Sequence, residues 1–119
     1  MNNFRELKVW KKALSLVTEI YKLTKHFPKE EQFGLTSQIR RCAVSIPSNI
    51  AEGAGRSSTK EFMRFLDIAN GSLSELETQL IIIDKLNYIN TQELVDNELT
   101  VIRKMLYRLK QSLSRKLRQ

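Results

Sequence analysis

The residues best suited to chemistry in this sequence are cations near its C-terminal end. The chain of 119 residues has 20 Lys and Arg against 13 Asp and Glu, a formal net charge of +7. Residues 103–119 contain seven of these cations and none of the acids, so the whole surplus lies there. The seven are Arg103, Lys104, Arg108, Lys110, Arg115, Lys116 and Arg118. Such a basic end on a neutral body predicts an anionic partner, RNA or DNA before any other.

The spacing of these cations matches one face of a helix. Steps of four, three, four and three join Lys104, Arg108, Gln111, Arg115 and Arg118. At about 1.5 Å per residue the stripe extends over roughly 20 Å, enough for several phosphates of one strand of a duplex. It predicts phosphate contacts that are salt-sensitive and depend little on base sequence. The alternative is a solvated helix whose cations only complement its own dipole.

A second set of polar residues lies on the second predicted helix, with one member on the third. The set comprises Gln38, Arg41, Ser45, Asn49, Glu52 and Glu77. One interpretation is two solvent-exposed helix faces. Another is a polar seam between subunits or around a pore, and a third is a small-ligand or metal site at Asn49, Glu52 and Glu77.

Other catalytic and metal-binding patterns are not found in the sequence. It has one histidine, His26, and one cysteine, Cys42, too few for a zinc site or for the paired Glu-x-x-His motifs of di-iron bundles. The segment "EGAGRSS" lacks the preceding strand and the Lys-Ser/Thr of a phosphate-binding loop. We therefore predict a protein without cofactor or metal that is not an enzyme. A single cysteine and a polar N-terminus predict a cytoplasmic protein that does not enter the membrane.

Hydrophobic periodicity places these residues on four helices, at about 5–26, 30–54, 58–87 and 91–114. Ser57 or Ser58 is predicted as the N-cap of the third helix, and Ser58 has Glu61 three residues later, at the capping-box spacing. Thr91 is the predicted N-cap of the fourth. Long helices with short connections predict a single all-α domain over 1–119, an antiparallel up-down-up-down four-helix bundle. The apolar seam of the last helix ends at Leu113, which predicts that the residues after it order only on binding.

The second helix contains a proline, Pro47, in its interior. Because the apolar spacing continues from Ile46 to Ile50 across it, we predict that Pro47 lies within the helix or at a bend. A proline there leaves the carbonyl of Ala43 without its usual partner. The hydroxyl or amide groups of Ser45, Ser48 and Asn49 are predicted to help satisfy it.

Three long segments resemble one known family. They are "FRELKVWKKAL", "FPKEEQFGLTSQIRRCAVSIPSNIAEG" and "EFMRFLDIANGSLSELETQL". Over residues 4–90 the chain is similar to four-helix-bundle proteins encoded within intervening sequences of 23S ribosomal RNA genes. The accessory variability protein of diversity-generating retroelements shares that fold, as a barrel-shaped homopentamer that binds nucleic acid and a reverse transcriptase. The resemblance implies a ring-shaped homo-oligomer, a homopentamer, which would also cover Ile81 and Ile82 outside the seams.

These observations together predict a non-enzymatic, homo-oligomeric four-helix bundle that binds RNA or DNA through its basic C-terminal helix. The alternative is a protein–protein adaptor or scaffold that docks an acidic protein partner. Salt-dependent retention on nucleic acid distinguishes the two, since an adaptor would not bind it.

Overall fold

A computed structural model describes residues 3–119, and all regular structure in that range is helical. Four α-helices make up most of it: α1 (Lys8–Thr24), α2 (Leu35–Ala54), α3 (Thr59–Lys85) and α4 (Thr100–Leu117). Short 3-10 helices cover Phe4–Glu6 and Lys29–Glu31, and a π-helix over Leu94–Leu99 runs directly into α4. The prediction of an all-α protein with four helices is therefore confirmed. None of the helices within 3–119 is long and apolar enough to cross a membrane.

The helix boundaries differ from the predicted ones mainly around the first connection and at the C-terminus. The predicted helix 30–54 begins only at Leu35, because residues 29–31 form a 3-10 turn after Pro28. At the other end, α4 continues to Leu117, beyond the predicted end at 114. Residues 114–117 are thus helical without a partner, contrary to the expectation that the residues after Leu113 order only on binding. Arg115 and Lys116 in the last turn suit the negative end of the helix dipole.

The helices pack around one apolar core in which each helix touches two others. α1 packs on α2, α2 on α3, α3 on α4, and α4 again on α1. Successive turns of each helix supply the core, for example Ile20 from α1, Ile46 from α2 and Leu73 from α3, all with no exposed area. This arrangement leaves the outer faces of the helices to water or to partners.

The contact between α2 and α3 is the most extensive between two helices of residues 3–119, and Gly53 lies at a point of close approach. A Cβ atom added to Gly53 would lie 2.6 Å from Cβ of Phe65 and 3.2 Å from the backbone oxygen of Phe62. Real Cβ atoms do not approach other atoms this closely, so only glycine fits. At the start of α3, the hydroxyl of Ser58 accepts a hydrogen bond from the backbone N–H of Glu61 at 3.0 Å, which confirms this predicted cap.

Pro47 lies inside α2, as predicted, and is buried. The polar residues around it bond to carbonyls other than the predicted one. Ser45 donates its hydroxyl proton to the carbonyl of Cys42 at 2.6 Å, and the Asn49 amide donates to the carbonyl of Ser45 at 2.8 Å. These hydrogen bonds therefore stabilise the helical turns beside the proline, and neither is made to the carbonyl of Ala43.

The α1–α2 and α3–α4 connections meet at the same end of the protein. The hydroxyl of Tyr88 donates to Oε2 of Glu31 at 2.8 Å, and the Tyr88 ring lies 5.8 Å from that of Phe27. Asn87, with a φ of 62°, closes α3 in a left-handed conformation that asparagine tolerates. Thr91 directly precedes the first helical residue of the fourth helical segment, as predicted, and its carbonyl accepts a hydrogen bond from the N–H of Val95 at 3.0 Å. Its hydroxyl donates to the carbonyl of Leu80, so the side chain links the connection to α3 and does not cap the helix.

Candidate nucleic-acid interface

One face of α4 is fixed by the core, and this determines where its cations point. Ile102, Leu106 and Leu113 are buried, with Leu109 partly buried between them. Since a helix turns by about 100° per residue, residues on the other side of α4 must face outward. The helix is therefore held as a rigid support for whatever its polar face binds.

The predicted basic stripe lies on this outer face. Its four cations are exposed, and so is the neighbouring Lys116. Together these residues are Lys104, Arg108, Arg115, Lys116 and Arg118. Within residues 3–119 none of the five forms an ion pair with a carboxylate. Their charge is consequently available to an external anion, and we call these five residues the exposed cations.

The remaining two predicted cations bind acidic residues of α3 instead. The Arg103 guanidinium donates to Oε1 of Glu77 and approaches the Ser74 hydroxyl at 3.3 Å. The Lys110 ammonium donates to Oδ1 of Asp67 at 2.5 Å. Both pairs are partly exposed, so they orient α4 against α3 more than they stabilise the fold. Arg103 and Lys110 therefore belong to the α3–α4 contact.

An exposed aromatic residue lies among the exposed cations, and the sequence interpretation missed it. Tyr107 is 63% exposed, and its hydroxyl accepts a hydrogen bond from the Gln111 side chain at 3.1 Å. Aromatic rings beside cations give nucleic-acid bases a surface for stacking. The signal was present in the sequence, because Tyr107 directly precedes Arg108 and lies one turn after Lys104.

A second cationic contribution comes from the α2–α3 connection. Arg56 and Lys116 line one shallow cleft together with the hydroxyl-bearing segment 57–59. Arg56 also pairs with Glu52 at 2.9 Å and stacks over the ring of Phe65 at 4.9 Å. The end of α4 therefore lies beside a further arginine that periodicity alone could not place there.

Within one subunit the predicted polar set does not form a single cluster. Gln38, Arg41 and Glu52 are exposed on α2, whereas Ser45 and Asn49 are half-buried and bonded to their own helix. Glu77 is engaged by Arg103 on the opposite side of α3, and Glu52 by Arg56. Nor does any group of three metal-binding side chains occur in the part of the chain that the structure describes.

The single cysteine has the environment of a core residue. Its thiol donates to the backbone carbonyl of Ser72 at 3.0 Å, and burial, followed by the nearby Glu75 carboxylate, raises the pKa of Cys42 to about 12. A nucleophilic cysteine needs the opposite, a lowered pKa beside a base or cation. Cys42 is therefore a protonated thiol at neutral pH that packs between α2 and α3.

These features define a class of protein, an all-α four-helix bundle with a basic outer face on its last helix. Residues 5–108 match the model of the 23S rRNA-intervening sequence protein family, so the chain belongs to that family. The match ends within α4, and the last three exposed cations, Arg115, Lys116 and Arg118, lie beyond it. No curated protein matches the sequence.

A solved structure shows the same fold at moderate sequence identity. It is the 1.70 Å crystal structure of a protein of unknown function from the S23 ribosomal protein family of Bacteroides thetaiotaomicron VPI-5482. The two chains share 30% identity over 87% of this chain and 95% of that one, with a TM-score of 0.78. The resemblance read from the three sequence segments is therefore confirmed at the level of family and fold.

Proposed function

We propose that the protein is a non-enzymatic, cytoplasmic homo-oligomer that binds nucleic acid through the outer face of α4, mainly by contacts to phosphates. One observation carries the proposal: the five exposed cations lie on a helix fixed by its buried face and have no carboxylate partner within residues 3–119. Unpaired cations on a rigid support bind polyanions because they release condensed counterions.

The distribution of charge between α3 and α4 supports this function. Asp67 and Glu77 neutralise only the two cations nearest to α3, Lys110 and Arg103, and leave the outer stripe positive. Tyr107 adds a stacking surface within that stripe, which favours RNA or DNA that offers unpaired bases. An acidic protein surface would also bind the cations, but it has no bases to stack on the ring of Tyr107.

Assembly is the second part of the proposal. We infer an antiparallel up-down-up-down bundle, supported by the meeting of the first and third connections through Tyr88 and Glu31 and by the cleft that Arg56 shares with Lys116. Exposed apolar side chains, Ile81 and Ile82 among them, favour a covering partner. A homopentameric ring, implied by the family resemblance, would repeat the basic helix five times and add weak contacts by multivalency.

The decisive experiment removes the outer stripe alone. A variant with Lys104, Arg108, Arg115 and Arg118 changed to Gln is compared with the parent for binding to duplex DNA and to structured RNA across a salt series. We expect weaker binding to all sequences alike. We also expect a slope of log K against log salt that is shallower by up to about 3 to 4 for duplex, since each lost phosphate contact removes roughly 0.9.

A matched variant controls for net charge. Lys8, Lys11, Lys22 and Lys25 are exposed on or just after α1, and changing all four to Gln removes the same charge from another face. Equal losses in both variants would mean that only net charge matters, and the α4 interface would be wrong. If the parent binds neither nucleic acid at low salt, the nucleic-acid function is wrong and an acidic protein partner becomes the alternative.

A further inference from the structure

Phe33 is the most exposed large apolar side chain in residues 3–119. It is 91% exposed in the connection between the 3-10 helix Lys29–Glu31 and α2. An open groove of α1 and α2 adjoins it, lined by Tyr21, Arg40 and Val44 among others. A phenyl ring beside such a groove contributes nothing to the fold of its own chain, so its apolar area is available to a partner.

A cleft of suitable size lies on the side of the molecule formed by α3 and the start of the fourth helix. Ile81 and Val95 give it apolar walls, and its volume is about 290 Å³. A cavity of about 150 Å³ in a protein core holds benzene, so this cleft can hold a phenyl ring. One wall belongs to the π-helix Leu94–Leu99, a rare form that occurs mostly where a helix serves a function.

Phe33 and the cleft lie at the same end of the protein and on opposite sides of it. The hydrogen bond from Tyr88 to Glu31 ties the two connections together at that end. Phe33 is on the side of α1 and α2, whereas Ile81 and Val95 are on the side of α3 and α4. Two complementary patches on different sides of one subunit allow a heterologous contact. Such a contact closes into a ring where the rotation between neighbouring subunits divides a full turn and carries no translation along the axis, as for two patches at one height.

The charges beside the two patches are complementary. Arg40 and Arg41 line the groove next to Phe33, and Arg41 is exposed. The cleft is lined by the exposed carboxylate of Asp96 and by that of Asp84, which accepts hydrogen bonds from Thr91, against a single cation, Lys85. Opposite charges around an apolar contact set its register and disfavour other pairings.

We propose that Phe33 of one subunit inserts into the cleft between Ile81 and Val95 of a second copy of this chain, with Arg41 facing Asp96. The inference deepens the assembly part of the proposed function and rests on it. The contact is heterologous, because each subunit presents Phe33 on one side and the cleft on the other. Repetition of this contact builds the ring and leaves the exposed cations of α4 uncovered.

The first test removes the ring of Phe33. Because Phe33 is almost fully exposed, Phe33→Ala leaves helix content and thermal unfolding of the subunit unchanged. We expect its subunit dissociation constant, from sedimentation velocity over a concentration series, to rise by about 30-fold or more, as for aromatic hot spots. Tyr107→Ala is the matched control, an exposed aromatic residue outside the contact, and its assembly equals that of the parent.

The second test uses two variants that each retain one patch. Phe33→Asp removes the inserting ring but keeps the cleft, and Ile81→Asp disrupts the cleft but keeps Phe33. Neither variant has both patches, so we expect each alone to be a monomer. Mixed together they still share one intact contact, and we expect a one-to-one heterodimer that does not grow further. A contact between these two patches gives this result, because the intact cleft of one variant receives Phe33 of the other.

The outcomes separate this inference from the nucleic-acid function. If the parent and Phe33→Ala assemble equally well, the inference is wrong and the proposed function stands. A mixture of Phe33→Asp and Ile81→Asp that stays monomeric also overturns it. If the parent is a monomer at micromolar concentration, both the inference and the assembly part of the function are wrong, whereas binding of nucleic acid by α4 is judged by the Gln variant alone.

Discussion

Between α2 and α3 the backbones approach closely, whereas between α3 and α4 long side chains cross the gap. Gly53 leaves no room for a Cβ against Phe65, and the Cys42 thiol reaches a backbone carbonyl of α3. On the other side, Arg103 and Lys110 extend from α4 to carboxylates of α3 at a partly exposed rim. The α2–α3 contact depends on close fit of apolar groups, whereas the α3–α4 contact also has ion pairs at its edge.

This difference separates the part of the molecule that holds the fold from the part that presents its charge. Shape complementarity in a buried contact is sensitive to single atoms, because the interior is packed as densely as a crystal. Partly exposed ion pairs tolerate change, since water replaces the lost partner. Changes to the outward-facing residues of α4 can therefore alter its surface charge with little effect on folding, whereas changes in the α2–α3 contact affect folding itself.

The largest expected effect concerns the reactivity of Cys42. With its pKa raised to about 12 from the ordinary 9.0, its thiolate fraction at pH 8 falls about a thousandfold. Alkylation by iodoacetamide at pH 8 should be slower in the native protein than in denaturant by at least this factor. A native rate within tenfold of the denatured rate would show that the α2–α3 contact opens readily and would remove the contrast with α4.

Next in size is the effect of a methyl group in the same contact. Gly53→Ala places a Cβ against the backbone and ring of α3, and we expect it to lower the free energy of unfolding by about 1–3 kcal/mol. Urea denaturation followed by circular dichroism measures the loss. The expected cause is overpacking, so the slope of unfolding with urea should not change.

The chain offers a matched control in Gly71, a helical glycine of α3. A Cβ there meets nothing within 4 Å, so Gly71→Ala should stabilise the protein by about 0.5–1 kcal/mol through helix propensity. A lower free energy of unfolding for Gly53→Ala together with a higher one for Gly71→Ala would locate the close approach at Gly53. Stabilisation by both would contradict it.

The smallest expected effect on stability comes from the ion pairs of α4. The double variant Asp67→Asn with Glu77→Gln should change the free energy of unfolding by less than about 1 kcal/mol per pair. It releases Arg103 and Lys110 toward the outer face, so we expect nucleic-acid affinity to rise about two- to tenfold, with a steeper salt slope. Fluorescence anisotropy at several salt concentrations measures both quantities.

A control with the same change in net charge makes that result specific. Glu6→Gln with Glu30→Gln removes two exposed carboxylates that form no ion pair with α4. If this pair raises the affinity as much as the double variant of α3, then the ion pairs do not mask the two cations. The division of the basic end into paired and exposed residues would then have no consequence for binding.

The sequence predicted the local structure correctly where residue spacing or backbone chemistry within one segment was enough to decide it. The helices, the cap at Ser58 and the place of Pro47 within α2 each follow from residue spacing and backbone chemistry. The first connection was harder, because residues 29–32 have helix-forming side chains but follow a proline, and residues 29–31 form a short 3-10 helix instead. Thr91 was assigned a cap from its position, yet its buried hydroxyl serves a carbonyl of α3.

The sequence by itself determined four helices, their apolar faces and a positive surplus confined to residues 103–119. Only the tertiary structure decided that Arg103 and Lys110 are paired while the other five cations are exposed. It alone brought Phe33 and the cleft at Ile81 to one end of the protein. Periodicity fixes which residues share a helix face, but the residues opposite that face depend on how each helix is rotated and which connections meet, and these follow from the packing of the whole core.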